Sequence, residues 1–388
     1  MQKKISKVSL GILALAVLMV SVLFVGCADD SAAEAKAAME AKETKEAAPA
    51  EEKKSAPANL TKALPNAKYV MRMAYTDAGT WPAMGEKPQA EHAYALLFKS
   101  VVESMSNGEA SVELYPGGTL AQSKAATEMV QNGTLEMAIT TGTIAGFYPA
   151  MQVFSLPYAF RSDEVAWRVF DESDFWKNMV ADMAEKSNLL VLGMGQNGTR
   201  HFTNSKKVIK SPADMRGMKF RVMPSPIFSQ MVEALGATAM PLAHNEIYTA
   251  CQTGVVDGQE NPVWNIAANK WYEVQDYMTL DGHVWSENML VINNDYFNKL
   301  PADIQQIIKV ASLQGQWADR VSEALASKIT DFSVLNANMD IYSPTANEMG
   351  QFKAAVEPVK EWLKGQVGAK VVDDFYAAIA EAEAELGY

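Results

Sequence analysis

The side chains that most often catalyse reactions or bind metal ions form no recognisable pattern in this chain. Its four histidines, His92, His201, His244 and His283, are widely separated. The sequence lacks the short motifs that place two metal ligands on one helix face, cradle a phosphate, or expose a nucleophilic serine between a strand and a helix. We therefore expect no catalysis, no cofactor and no bound metal ion.

Arginine is more informative, because the chain holds 27 lysines but only seven arginines. Arg221 lies in a stretch whose alternation sends Phe220 and Val222 to one face of a strand and Arg221 to the other. A guanidinium meets a carboxylate with two parallel hydrogen bonds and keeps its charge. Taken alone, however, an arginine in a strand is more often a surface or ion-pair residue. Residue type and position make Arg221 a candidate anion ligand and no more.

The elements that must position such side chains alternate along the chain. Apolar and alternating stretches predict strands, and amphipathic stretches predict the helices between them. This order predicts an α/β architecture with largely parallel sheets. The predicted strands are 69–75, 111–115, 135–140, 189–193 and 218–222, and the predicted helices are 88–105, 121–132, 225–235, 245–253, 302–336, 348–364 and 371–386.

The first 27 residues predict the compartment. Three lysines precede an apolar run that ends at Gly26-Cys27, which is the pattern of a secretory signal peptide. Residues 23–27 resemble a bacterial lipobox, in which Cys27 is lipidated and becomes the mature N-terminus. Plain secretion and an uncleaved membrane anchor are the alternatives. All three place the rest of the chain outside the cytoplasm, either periplasmic or at the cell surface.

Composition divides the remainder into a tether and a body. Residues 28–66 are rich in alanine, glutamate and lysine and contain no aromatic residue, so they predict a low-complexity tether. The body is long enough for a large core or two domains. The net charge of −12 argues against nucleic acid as a partner. Apart from Cys27 the only cysteine is Cys251, which excludes a disulfide framework.

The body resembles the solute receptors of tripartite ATP-independent periplasmic (TRAP) transporters, the DctP family. The resemblance extends over about residues 68–385. It is most specific in the run Asp-Gly-Gln-Glu-Asn-Pro that ends at Pro262. Other matching stretches are 117–120, 156–157, 198–204, 210–222, 234–237, 246–248 and 272–275.

The resemblance implies a two-domain, periplasmic-binding-protein-like fold of type II-like topology, with a long helix crossing both domains. Domain I would comprise residues 67–198 and about 287–326, and domain II residues 199–286 and about 327–360, with 361–388 as a C-terminal helical segment. A small organic anion would bind between the domains. It would then be delivered to the small and large membrane subunits of a TRAP transporter.

The resemblance also implies roles for individual residues. Arg221 matches the arginine that clamps the substrate carboxylate, and Asn261 matches an asparagine that contacts the ligand. Arg200 matches a position that supplies a second cationic contact in some members. Asp257 and Glu260 are expected to be structural, because an acid directly beside a bound anion would repel it.

His244 occupies a position where certain members place an aromatic ring over the ligand. It could stack or donate a hydrogen bond there, or merely pack or cap a helix N-terminus. The threonines after the third strand are expected to contact the distal groups of the substrate. The other residues expected at the site or its walls are Thr140, Thr141, Thr143, Met223, Trp81, Trp264 and Trp285.

Two other functions remain compatible with the sequence. The same binding fold could serve as the sensor input of a signalling system, and an extracytoplasmic enzyme would differ by turning its ligand over. The ligand itself is open among dicarboxylates, sugar acids, keto acids and organic sulfonates, whose oxygens all accept a guanidinium fork.

Overall fold

One mixed sheet of nine strands organises the computed structural model, which describes residues 60–79 and 89–388. Its strands follow the spatial order β2-β1-β3-β8-β4-β7-β5-β6, and β9 pairs with β8. The strands are β1 (Tyr69–Ala74), β2 (Ala110–Tyr115), β3 (Met137–Thr140), β4 (Leu189–Asn204), β5 (Lys219–Val222), β6 (Thr238–Pro241), β7 (Gly258–Pro262), β8 (Tyr277–Asn293) and β9 (Asp340–Tyr342).

Two long antiparallel strands, β4 and β8, join the two sides of this sheet. On one side β3 pairs antiparallel with β8 and parallel with β1. On the other side β7 pairs antiparallel with β4 and parallel with β5. The predicted parallel pairing is therefore found within each side, and the long strands add antiparallel pairing between them. The division of the body into two domains stays a prediction.

Thirteen helices of the described residues cover the sheet, and four short 3-10 helices lie at 142–146, 149–155, 244–246 and 271–273. The helices are α1 (Ala90–Met105), α2 (Ser123–Gln131), α3 (Asp163–Glu172), α4 (Asp174–Ser187), α5 (Pro212–Met215), α6 (Pro226–Ala234), α7 (Ile247–Gln252), α8 (Val263–Ala268), α9 (Asn294–Lys299), α10 (Ala302–Leu325), α11 (Asp331–Asn338), α12 (Ala346–Val367) and α13 (Ala369–Leu386).

The long helix predicted over 302–336 is confirmed, with one irregularity. Helices α10 and α11 are continuous through a π-helical turn at Ala326–Thr330, a kind of insertion that bends a helix. Helix α10 packs closely on β4 because β4 has glycines where the two meet. A Cβ added at Gly195 would lie 2.4 Å from Asp319 Oδ1. Only glycine permits this approach between the long helix and the long strand.

Several predicted boundaries change. The helix predicted over 348–364 continues through Gly365 as α12, and Gly368, with a positive φ of 91°, follows its last residue. Strand β4 extends far beyond residue 193, and α3 and α4 were not predicted. Residues 60–66, assigned to the tether by composition, contact the body: Leu114 N–H donates to Thr61 O at 2.7 Å.

The apolar residues of β5 pack into the core and so fix the strand that carries Arg221. Phe220 and Val222 are completely buried in the largest hydrophobic cluster, as their alternation predicts. Arg221 therefore points to the opposite face of the strand. None of the helices in the described part of the chain has both the length and the apolar character of a membrane span.

Candidate ligand-binding site

A cavity of about 80 Å³ lies where several strands end or bend, between the two sides of the sheet. Ligands of open α/β sheets bind at this kind of position, beyond the carboxyl ends of the strands. One water-sized group needs about 10–15 Å³ of such volume, so the cavity has room for roughly five to eight non-hydrogen atoms. Seven of the predicted site residues line it: Thr141, Thr143, Arg200, Arg221, Met223, His244 and Asn261.

Arg221 is almost fully buried, yet no described acid forms an ion pair with it. Its side chain is 2% exposed, and its Nε donates one hydrogen bond, to Leu242 O at 2.9 Å. Within residues 60–79 and 89–388, no carboxylate forms an ion pair with it. Burial lowers the pKa of the guanidinium to about 9, so the group is still charged at neutral pH. Its two terminal nitrogens donate no hydrogen bond to a described residue.

Arg200 is buried to the same extent but is neutralised. Its Nε donates to Glu260 Oε2 at 2.5 Å and its Nη2 to Glu260 Oε1 at 2.9 Å. The same Nη2 donates to Asn261 Oδ1 at 2.9 Å. Although burial opposes it, Arg200 and His283 hold the pKa of Glu260 below its usual range. Glu260 thus acts inside the protein, in line with the structural role expected for it.

A histidine extends this network away from the cavity. His283 Nε2 lies 3.1 Å from Glu260 Oε2, and its Nδ1 lies 3.0 Å from Asp281 Oδ2. Burial alone would lower the pKa of His283, but the two carboxylates raise it to about 9. The imidazolium is therefore a permanent cation at neutral pH and balances one of the two acids. We had not predicted this network, because its members are remote from one another in sequence.

Asn261 is held by the same network. Its Nδ2 donates to Gln259 Oε1 at 2.6 Å, while its Oδ1 accepts the bond from Arg200. One amide hydrogen remains for a ligand, which is the contact that we propose for it. The side chain is thus oriented before any ligand arrives.

His244 begins a short 3-10 helix and is half-buried at the cavity wall. Burial, and to a lesser degree Arg221, lower the pKa of its ring to about 4, so it is neutral. Its Nε2 lies 3.1 Å from Asn265 Oδ1, which can only accept, so Nε2 carries the proton. Nδ1 is then an acceptor. Trp271 packs against the ring with centroids 5.3 Å apart.

The structure places some predicted residues elsewhere. Thr140 lies behind the cavity wall, where its hydroxyl bonds to Ser123, Thr127 and Thr143. Trp264 is also outside the lining and donates to Asn197 O at 2.5 Å. Trp285 is packed in the core, stacked on Phe170. Trp81 and Cys27 lie outside the described residues.

Ten lining residues were missed, and among them Asp77, Glu91 and Asn197 are buried polar side chains. Asp77 follows β1 as Thr141 follows β3, so the reasoning that selected the threonines would also have selected it. Asn197 was hidden because it is three residues from Arg200, and such residues face opposite sides of a regular strand. A shift of the β4–β8 register between Gln196 and Gly198 lets both face the cavity.

The two acids support each other. Glu91 Oε2 accepts from the N–H groups of Thr76 at 2.7 Å and Asp77 at 2.9 Å, and Asp77 Oδ2 accepts from Glu91 N–H at 2.8 Å. Burial raises the pKa of Asp77 well above its usual range and that of Glu91 to about 7. No group of three or more histidine, cysteine or acidic side chains is arranged to hold a metal ion among the residues described.

Comparison with known proteins agrees with the family resemblance seen in the sequence. The family described as bacterial extracellular solute-binding protein, family 7 (DctP), matches residues 84–364. The ectoine/5-hydroxyectoine-binding periplasmic protein UehA of Ruegeria pomeroyi is 30% identical over 312 residues, which cover 78% of this chain and 91% of UehA.

Solved structures agree. The sugar acid binding protein DctPAm of Advenella mimigardefordensis, in complex with galactonate, has a TM-score of 0.76 at 28% identity and covers 81% of this chain and 99% of its own. A TRAP periplasmic solute-binding protein of Shewanella oneidensis with bound succinate has a TM-score of 0.74 at 25% identity, covering 81% of this chain and 100% of its own.

Proposed function

This chain belongs to family 7 of the bacterial extracellular solute-binding proteins, and from that premise we propose that Arg221 holds the carboxylate of its ligand. The chain is the solute receptor of a TRAP transporter: it captures a small organic acid outside the cytoplasm and delivers it to the membrane subunits. Galactonate, succinate and ectoine, the ligands named for the comparison proteins, each carry a carboxylate.

The unpaired charge of Arg221 carries this proposal. Taking a guanidinium out of water costs several kcal/mol even after relaxation of the protein. A protein that buries such a group without a counter-ion stores that cost until an anion arrives. A carboxylate accepts from both terminal nitrogens at once, which is the geometry that Arg221 offers.

We propose that the ligand also closes the protein. Arg221 and Asn261 belong to one side of the sheet, whereas Thr141 follows β3 on the other side. A ligand that contacts both sides stabilises the arrangement in which they are close. The membrane subunits would recognise that arrangement. The π-helical turn after α10 and the long strands are where such a movement would be taken up.

We propose that Cys27 carries a lipid that anchors the protein to the membrane. Its place at the end of the apolar run supports this. The Cys27→Ser variant should leave the membrane fraction and appear in the soluble extracytoplasmic fraction. Retention of that variant in the membrane would contradict a lipid anchor and favour an uncleaved signal helix.

The ligand site is tested by Arg221→Met in the protein without residues 1–59. A thermal-shift screen of organic acids, including succinate, galactonate and ectoine, first finds an acid that binds. Calorimetry should then show a loss of affinity of roughly 30-fold or more in the variant, as expected for a desolvated ion pair. The control is Arg216→Met, since Arg216 is exposed outside the cavity. Wild-type affinity in Arg221→Met would overturn the assignment.

A further inference from the structure

The cavity has two chemically different ends. Arg221 and the remaining amide hydrogen of Asn261 offer hydrogen-bond donors at one end. The rest of the lining includes three side chains with acceptor oxygens, which we call the acceptor wall: Asp77 after β1, Glu91 at the start of α1 and Asn197 in β4. We infer that the ligand is an organic acid whose distal end bears a hydrogen-bond donor, an ammonium or hydroxyl group, and not a second carboxylate. This rests on the proposed role of Arg221.

Asn197 indicates that the acceptor wall awaits a donor. Its side chain is 6% exposed, and its Oδ1 is buried without a hydrogen-bond partner from any described residue. An acceptor left in this state is unfavourable, because it has given up its bonds to water. A donor on the ligand would restore the lost bond. A carboxylate has no hydrogen to give.

The acids make the same selection by charge. Asp77 is 6% exposed and Glu91 is 2% exposed, so their interactions with a ligand are weakly screened. One oxygen of Asp77 accepts from Glu91 N–H, and the other has no protein donor recorded in residues 60–79 and 89–388. An ammonium beside this oxygen would stabilise the ionised acid. Burial already raises the pKa of both acids, so a second carboxylate could bind here only beside their protonated forms, whereas an ammonium binds beside the ionised form.

Among the described residues, one cation lies on this side of the cavity. Lys124 of α2 reaches the lining, but it is exposed and its charge is solvated. Solvent therefore screens its attraction for a second carboxylate. The buried acids therefore dominate the choice of the distal group.

Matched acids test this inference. Each set keeps the carboxylate and the carbon chain and changes only the far end: succinate, 4-hydroxybutanoate and 4-aminobutanoate, with the corresponding three- and five-carbon sets. Their size suits the cavity. Binding is measured by thermal shift at millimolar concentration and then by calorimetry. We expect the amino or hydroxy acid of at least one set to bind at least tenfold more tightly than its dicarboxylate.

Asp77→Asn sharpens the test, because asparagine keeps an oxygen for the Glu91 N–H bond but cannot ionise and replaces the second acceptor oxygen with an NH2 donor. The affinity for the amino acid should fall at least tenfold, and that for the dicarboxylate should rise. The control is Asp303→Asn: Asp303 likewise accepts a backbone N–H at the start of a helix, from Ile304 at 2.9 Å, but is not among the residues that line the cavity.

The outcomes separate the two proposals. Equal or tighter binding of the dicarboxylates, or binding of none of these acids, overturns the inference about the distal group. If the dicarboxylates bind more tightly and their binding still requires Arg221, the proposed role of Arg221 is supported. If the amino or hydroxy acids bind more tightly but bind Arg221→Met as well as wild type, the role of Arg221 is wrong and the role of the acceptor wall is supported.

Discussion

Arg200 and Arg221 reach the same cavity from strands on either side of β7, and both are almost completely buried. Arg200 is 1% exposed and forms a two-pronged ion pair with Glu260, which is itself supported by His283. Arg221 is 2% exposed and has one backbone carbonyl. The same residue type thus serves two purposes. A buried arginine with a built-in acid organises the protein, whereas one without an acid is available to bind.

The largest effect should come from breaking the paired arginine. Arg200→Met should lower the free energy of unfolding by about 3–5 kcal/mol, because Glu260 would remain buried with only His283 as counter-charge. Arg221→Met should cause no comparable loss, since no acid is orphaned. Urea denaturation of the ligand-free proteins measures both. Equal losses in the two variants would erase the distinction between the arginines.

The pH dependence of stability should report the Glu260–His283 pair. The pKa of His283 is raised from about 6.5 to about 9, so its contribution is complete below pH 6.5 and is lost as the pH rises through 9. That contribution is about 3 kcal/mol at the energy of one pKa unit. Between pH 6 and pH 9.5 the wild type should therefore lose about 3 kcal/mol more free energy of unfolding than His283→Asn does. If the two proteins lose the same amount, His283 is neutral.

Arg221→Lys should have a smaller effect, confined to binding. Lysine keeps the charge but cannot present two parallel hydrogen bonds. The loss of a charge-assisted bond of about 1.5–3 kcal/mol corresponds to roughly a tenfold to hundredfold weaker affinity by calorimetry. If lysine binds as well as arginine, Arg221 acts only as a point charge.

The smallest effect is expected at Asn261, which lies between the two arginines. Asn261→Ala removes one neutral hydrogen bond to the ligand and one to Arg200. Affinity should fall roughly twofold to tenfold, and stability by about 0.5–1.5 kcal/mol. A loss of stability without any loss of affinity would assign Asn261 entirely to the Arg200 network.

The alternation of Phe220, Arg221 and Val222 was enough to predict the face on which Arg221 lies, because a strand with one apolar face has only one way to be buried. The state of Arg200 was not predictable in this way. Its partner Glu260 comes from a distant strand, and only the β4–β7 pairing places them together. Sequence spacing therefore located both arginines but could not tell the paired one from the unpaired one.

The same limit applies to the long elements. Strand β4 was predicted to end at residue 193 because glycines and polar residues follow. Those glycines serve the close packing of α10 and do not form turns. The acceptor wall was overlooked because acids are usually exposed, and burial of Asp77 and Glu91 depends on the bonds that they give each other.

The pairing of β4 with β8 also bears on how the chain folds. Leu189 pairs with Asn293, and β3 must wait for β8 before its outer edge is covered. Neither side of the sheet can be completed until about residue 293 is available. Closing such long loops costs entropy, so the folding nucleus forms slowly. A chain synthesised from its N-terminus therefore stays unfolded through most of its length. That delay suits a protein of an extracellular family, whose chain must cross a membrane before its sheet is assembled.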